Sequence, residues 1–212
     1  MCAKVYINNN KDRILEAVFF LSLKYGFDNV SIKQIQDEAN VSAGAIYYYF
    51  KDKNDILLNL LNKGLKKGIK VLDKELKKYE GTFVEKLKFI FYYHIGTNID
   101  DESYKLNCSE KQDLINSEYN LFLLGIYHQH PEFRPIFHET NRGMVEIFTD
   151  FTEEFKQKNE IRRDMDSEEI AFYIYTVVSG FSKLWIGFPD IELEEFIDKC
   201  IKMIVETVAV KN

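Results

Sequence analysis

The chain is 212 residues long, 46% apolar and 29% charged, which describes a folded globular protein and excludes a disordered one. Three widely spaced cysteines, Cys2, Cys108 and Cys200, make no CxxC pair and no disulfide framework, so a reducing compartment is expected. The net charge of −6 speaks against a polyanionic partner until it is divided along the chain. Residues 1–70 carry 11 Lys and Arg against 7 Asp and Glu, while residues 71–212 carry 17 against 27, so a basic head precedes an acidic body. The N-terminus has no apolar run before a small-residue cleavage site, and the uncharged apolar stretch 170–182 is too short to span a bilayer. A cytoplasmic protein that does not enter the membrane is expected.

Lys11 to Gly26 reads as the first helix, with Ile14, Ala17, Val18 and Leu21 on one stripe and Gly26 as the C-terminal cap. Ser31 caps a short helix, with Gln34 placed for a capping box and Val30 and Ile35 for a hydrophobic staple. The pattern restarts within a dozen residues: Ser42 caps a second short helix, stapled by Val41 and Ile46, and Asp52 caps a third. Two short helices joined by so tight a turn describe a helix-turn-helix, whose second helix would enter a DNA groove. With the first helix packed behind them they make a three-helix head over residues 1–52. Residues 53–212 are expected to form a larger helical domain.

That domain opens with one long Lys-rich connecting helix over 53–79, whose buried face holds Leu57, Leu60, Leu61, Leu65, Ile69, Leu72 and Leu76. Thr82 and Glu85 cap a helix through about Thr97. A polar, irregular stretch from Asn98 to Ser109 follows. Helical patterning returns from Glu110 to about His130, is reset by Pro131 and Pro135, and resumes over 136–158. Asp166 and Glu169 start a helix over 167–187, and a last helix covers 191–209. No stretch alternates as a strand does, so the fold class is all-α.

The segment Ser42 to Phe50 carries the strongest functional signal. Gly44 has no side chain, so the backbone there can approach a partner closely. Ile46 and Phe50, four apart, would anchor the helix inward and leave Tyr47 and Tyr48 to donate to phosphate oxygens. Lys51 and Lys53 add charge beside the N-terminus of the next helix, whose free N–H groups would form a phosphate site. The same tyrosines also fit a plainer role as half-buried aromatics of a small head.

Ile14 to Leu58 resembles the DNA-binding head of the TetR family of transcriptional regulators. The match lies in Tyr25-Gly26-Phe27, in Ser31-Ile32-Ile35-Ala39 and in Val41-Ser42-Ala43-Gly44. It continues in Ile46-Tyr47-Tyr48-Tyr49-Phe50 and in Lys53-Asp55-Leu57. The resemblance implies phosphate or base contacts by Ser31, Ser42, Ala43, Gly44, Tyr47, Tyr48, Tyr49 and Lys53; Lys33, Ala45 and Lys51 complete the DNA-binding set. Three positions depart from the common pattern. Asn40 stands where a turn glycine is usual, and asparagine tolerates the left-handed conformation. Ala45 replaces a frequent Thr, and Tyr49 a frequent His. With Ala43, Gly44 and Ala45 at the groove-facing end, discrimination is expected to lean on thymine methyls and DNA shape.

The resemblance further implies a homodimer through 167–209 on a palindromic double-stranded operator, and an inducer cavity in the body. Phe91, His94, Asn120, Tyr127, Tyr173, Phe181 and Trp185 are the ligand candidates, for a small hydrophobic or aromatic molecule. Ordinary core packing is the more frequent role for any single one of these aromatics, and it is the resemblance that favours a pocket. His128-x-His130 with His138 invites a metal, but residues two apart do not share a helix face, and no metal is expected. There is no glycine-rich phosphate loop, GxSxG or HExxH, so no catalytic residue and no cofactor are expected. The expected function is a ligand-responsive repressor. A regulator without a pocket, answering to a protein partner, and an all-α enzyme with a vestigial head stand as alternatives.

Overall fold

The computed structural model describes residues 10–94, 109–185 and 191–210, without the side chains of 109–117, Ser182 and Trp185. The expected irregular stretch before Ser109 and the helix end near Thr97 lie outside the described residues. Among the described residues ten α-helices follow in order: α1 Asn10–Tyr25, α2 Ile32–Ala39, α3 Ala43–Tyr49, α4 Lys53–Leu61, α5 Lys67–Lys78, α6 Phe83–His94, α7 Ser109–Gln129, α8 Arg134–Gln157, α9 Ser167–Trp185 and α10 Leu193–Val208. Short 3-10 turns at Phe27–Asn29 and Pro131–Phe133 precede α2 and α8. Among the described residues the chain is all-α, with one isolated bridge between Ile161 and Ala209.

These elements form two compact units. The first comprises residues 1–68 and 106–137, the second residues 69–105 and 138–212. In the first, Ile14, Val18, Ile35, Ile46, Phe50, Ile56 and Leu57 share a core with Phe122, Ile126, Phe133 and Ile136. The compact unit is therefore wider than the helix-turn-helix head ending at residue 52, because α4 and α7 bury apolar residues in the same core. In the second, Leu72, Leu87, Phe91, Phe148, Phe155, Ile174, Phe181 and Ile201 pack together. Lys86 is buried there, and its ammonium donates to the carbonyl of Leu76 at 3.2 Å and to Glu154 Oε1 at 2.9 Å. A buried ammonium is tolerated only when paired in this way.

The helix expected to run unbroken from Ile56 to Tyr79 is interrupted by a π-turn over Asn62–Lys66. The turn precedes the point where the apolar side chains change core: Leu57, Leu61 and Leu65 pack in the first unit, and Ile69 packs in the second. Gly64, with open space around it, lies inside that turn.

Candidate nucleic-acid interface

The geometry of the head is set by its caps. Ser31 Oγ accepts from the backbone N–H of Gln34 at 3.2 Å, and the Ser31 N–H donates to Gln34 Oε1 at 2.8 Å, which completes a capping box at α2. Val30 and Ile35, the staple pair, are both buried. Asn40 closes α2 in the left-handed region, at φ 49° and ψ 56°, and its carbonyl accepts from Arg13 Nη2 at 3.1 Å. Ser42 then caps α3 by accepting from the N–H of Ala45 at 3.2 Å. The two serines differ in consequence. The Ser31 hydroxyl proton is spent on Gln34 Oε1, 2.7 Å away, whereas Ser42 caps with a lone pair and keeps its proton to give.

On α3, Ile46 is buried and Phe50 just beyond it is buried too, so the helix is anchored as its four-residue spacing predicts. That leaves Tyr47 58% and Tyr48 82% exposed, an unusual amount of aromatic surface to hold in water. Tyr49 is half-buried and meets Tyr48 edge-on at 4.9 Å, which limits the rotamers of both. Gly44, Lys33 and Lys51 are exposed, and Ala43 and Ala45 half-buried. The arrangement offers phenol and serine hydroxyls, two free-standing lysines and a close-approach glycine, which is the chemistry of phosphate contact with sparse base reading.

Lys53 is placed otherwise than the sequence suggested. Its ammonium donates to the carbonyl of Asp28 at 2.9 Å and sits 4.6 Å from the centre of the Phe27 ring. Burial lowers its pKa, and Asp28 partly opposes that. It is a brace within the head. The N-terminus of α4 is also no open anion site, because Asp52 Oδ1 accepts from Asp55 N–H at 2.8 Å and Asp55 Oδ2 from Lys51 N–H at 3.0 Å. Two carboxylates occupy the position offered to phosphate.

The ligand candidates are divided between the units. Phe91, His94, Tyr173 and Phe181 belong to the second, and Asn120 and Tyr127 to the first. Phe91 and Phe181 are buried and meet edge-on at 5.2 Å, and Phe181 packs on Phe196 at 5.3 Å. Burial, with Lys183 adding to it, drives the pKa of His94 down to about 4, so this imidazole is neutral at physiological pH. The Tyr173 hydroxyl lies 3.4 Å from Thr207 Oγ1. Tyr127 packs edge-on to Phe137 and beneath the Arg134 guanidinium. The side chain of Trp185 lies outside the described residues. Sequence reasoning missed Asp28 and its partner His130, which are 102 positions apart with no local pattern to join them.

Residues 10–60 match the family model described as bacterial regulatory proteins, tetR family. The fatty acid metabolism regulator protein of Bacillus subtilis (strain 168) is 23% identical over 177 residues, covering 82% of each chain. Among solved structures, a transcriptional regulator from Saccharomonospora viridis in complex with choline matches with a TM-score of 0.74 at 19% identity, over 95% of this chain and 98% of that one. The transcriptional regulator FadR from Bacillus subtilis in complex with stearoyl-CoA matches with a TM-score of 0.67 at 21% identity, over 92% and 97%. A capped helix-turn-helix with an exposed tyrosine pair and the family match over that same segment lead to one conclusion: residues 10–60 form a helix-turn-helix head of the tetR family type, on a chain that shares the fold of the compared regulators.

Proposed function

We propose that the chain is a dimeric repressor that binds a palindromic operator through residues 1–52 and is released by a small hydrophobic ligand held in residues 53–212. The observation that carries the DNA-binding half is the exposure of Tyr47 and Tyr48 on a helix whose other face is locked by Ile46 and Phe50. Ser42, Gly44, Lys33 and Lys51 complete the contact set.

For the effector we infer a long-chain acyl thioester. One similar structure holds stearoyl-CoA and another choline, and this chain's own residues favour the first. Phe91, Phe181 and Phe196 form an apolar neighbourhood in the second unit, which also holds His94, and the charge acting on His94 is the cation of Lys183. A cation beside the site repels a quaternary ammonium and attracts an anionic head. The ligand must bind the DNA-incompetent state more tightly, or it shifts nothing. It would act by moving the connecting helix and so altering the spacing of two recognition helices across a dimer formed by α9 and α10. Thermal unfolding of the purified protein decides between the ligands. Stearoyl-CoA at saturating concentration should raise the midpoint and choline should not, and the reverse result would replace the acyl reading with a cation-binding one.

A further inference from the structure

Asp28, in the 3-10 turn before α2, is held from two directions. Its carbonyl accepts from Lys53 Nζ, in the first turn of α4, at 2.9 Å. Its carboxylate oxygens lie 3.1 and 3.3 Å from Nε2 of His130. The neighbouring Phe27 ring repeats the pattern, with Lys53 Nζ at 4.6 Å and the His130 ring edge-on at 5.6 Å. His130 itself ends α7: its N–H donates to the carbonyl of Ile126 at 2.9 Å, and its carbonyl accepts from Phe133 N–H at 3.0 Å. Its Nδ1 lies 3.7 Å from Glu132, and its side chain is 12% exposed against 52% for Asp28, so water reaches the contact from the carboxylate side. All of these residues lie in the first compact unit.

We propose that Asp28 and His130 are positioning residues for the recognition helix. Together they latch the end of α7 to the turn that grips Lys53, and Lys53 opens α4 four residues beyond the end of α3. Neither residue touches DNA; both act through Lys53. The latch also stands at a junction in the chain. Four residues after His130, α8 begins and runs on into the second unit. Loosening the Asp28–His130 contact frees the turn that holds Lys53 at the start of α4.

The test needs no effector, so it stands apart from the acyl-thioester reading. Wild-type protein, Asp28→Asn, His130→Gln and the double variant are compared on the duplex that the wild type selects from a randomised pool. Each single change should weaken binding by about 3- to 10-fold, and the double change no more than the worse single one, because one contact is lost in every case. The salt dependence should stay unchanged, since neither side chain neutralises a phosphate. Hydrogen exchange should quicken at the amides of residues 43–55 in each single variant, a readout that loss of packing confined to the end of α7 would not move. Additive losses, or exchange at 43–55 equal to wild type, would overturn the latch. Should the wild type select no duplex, the exchange comparison decides by itself.

Discussion

Asn40 holds the tightest point of the head, in a left-handed conformation where most side chains are strained. Asn40→Ala should cost about 1 kcal/mol of stability while Asn40→Gly stays near neutral, measured by urea unfolding of the two variants. Equal losses would mean that the side chain, and not the backbone, is what the turn needs. The lysines divide in the same local way. Lys51 is exposed and Lys53 is committed to Asp28 and Phe27. Lys51→Ala should weaken DNA binding alike for all sequences and reduce the salt slope by about 1. Lys53→Ala should lower the thermal midpoint as well. The caps at Ser31, Ser42 and Asp52 could be read from sequence because donor and acceptor lie three residues apart. The brace at Lys53 could not, since its acceptor lies 25 residues upstream.

Helices follow the same logic one level up. Their starts at Ser31, Ser42, Asp52, Thr82 and Asp166 were legible because short-range capping fixes them. The π-turn at Asn62–Lys66 was not read, because the apolar spacing there continues as in an ordinary helix. Nor does any sequence pattern place Lys86 inside the core facing Glu154 on a helix 68 residues away. Burial by itself would raise the Glu154 carboxyl, but hydrogen bonds from Lys158 and Lys86 outweigh it and hold its pKa below the usual value. A carboxyl depressed in the folded state adds stability above its unfolded pKa and loses it as pH falls through the folded one. The second unit should therefore weaken on acidification below the ordinary glutamate range, and Glu154→Gln should flatten that part of the stability profile. Glu154→Ala, which leaves the buried Lys86 ammonium with the Leu76 carbonyl but no counter-charge, should cost about 1.5–3 kcal/mol at neutral pH. A pH profile identical in wild type and Glu154→Gln would remove the pair from the account.

At the scale of the whole molecule, the fold class and the tetR-type head were legible because helical periodicity and the head motif are both local signals. The proposed effector site was not, because it would depend on which aromatics of distant helices meet. Phe91 and Phe181 do meet, whereas Asn120 and Tyr127 belong to the other unit. The proposed dimer has a clean probe in Gly180, where an added side chain meets nothing within 4 Å in the single chain, while Phe172, Leu184 and Met203 stay exposed on α9 and α10. Gly180→Trp should leave the monomer folded and shift sedimentation towards a single chain; an unchanged sedimentation coefficient would move the interface elsewhere. The central claim, that this acidic chain reads DNA through Ser42 to Phe50, is tested most directly by selecting duplexes from a randomised pool at low salt. The account predicts an inverted repeat bound by two copies, with Tyr47→Phe and Tyr48→Phe weakening every selected sequence alike. Failure to retain any duplex, or a selected site with no two-fold symmetry, would contradict it.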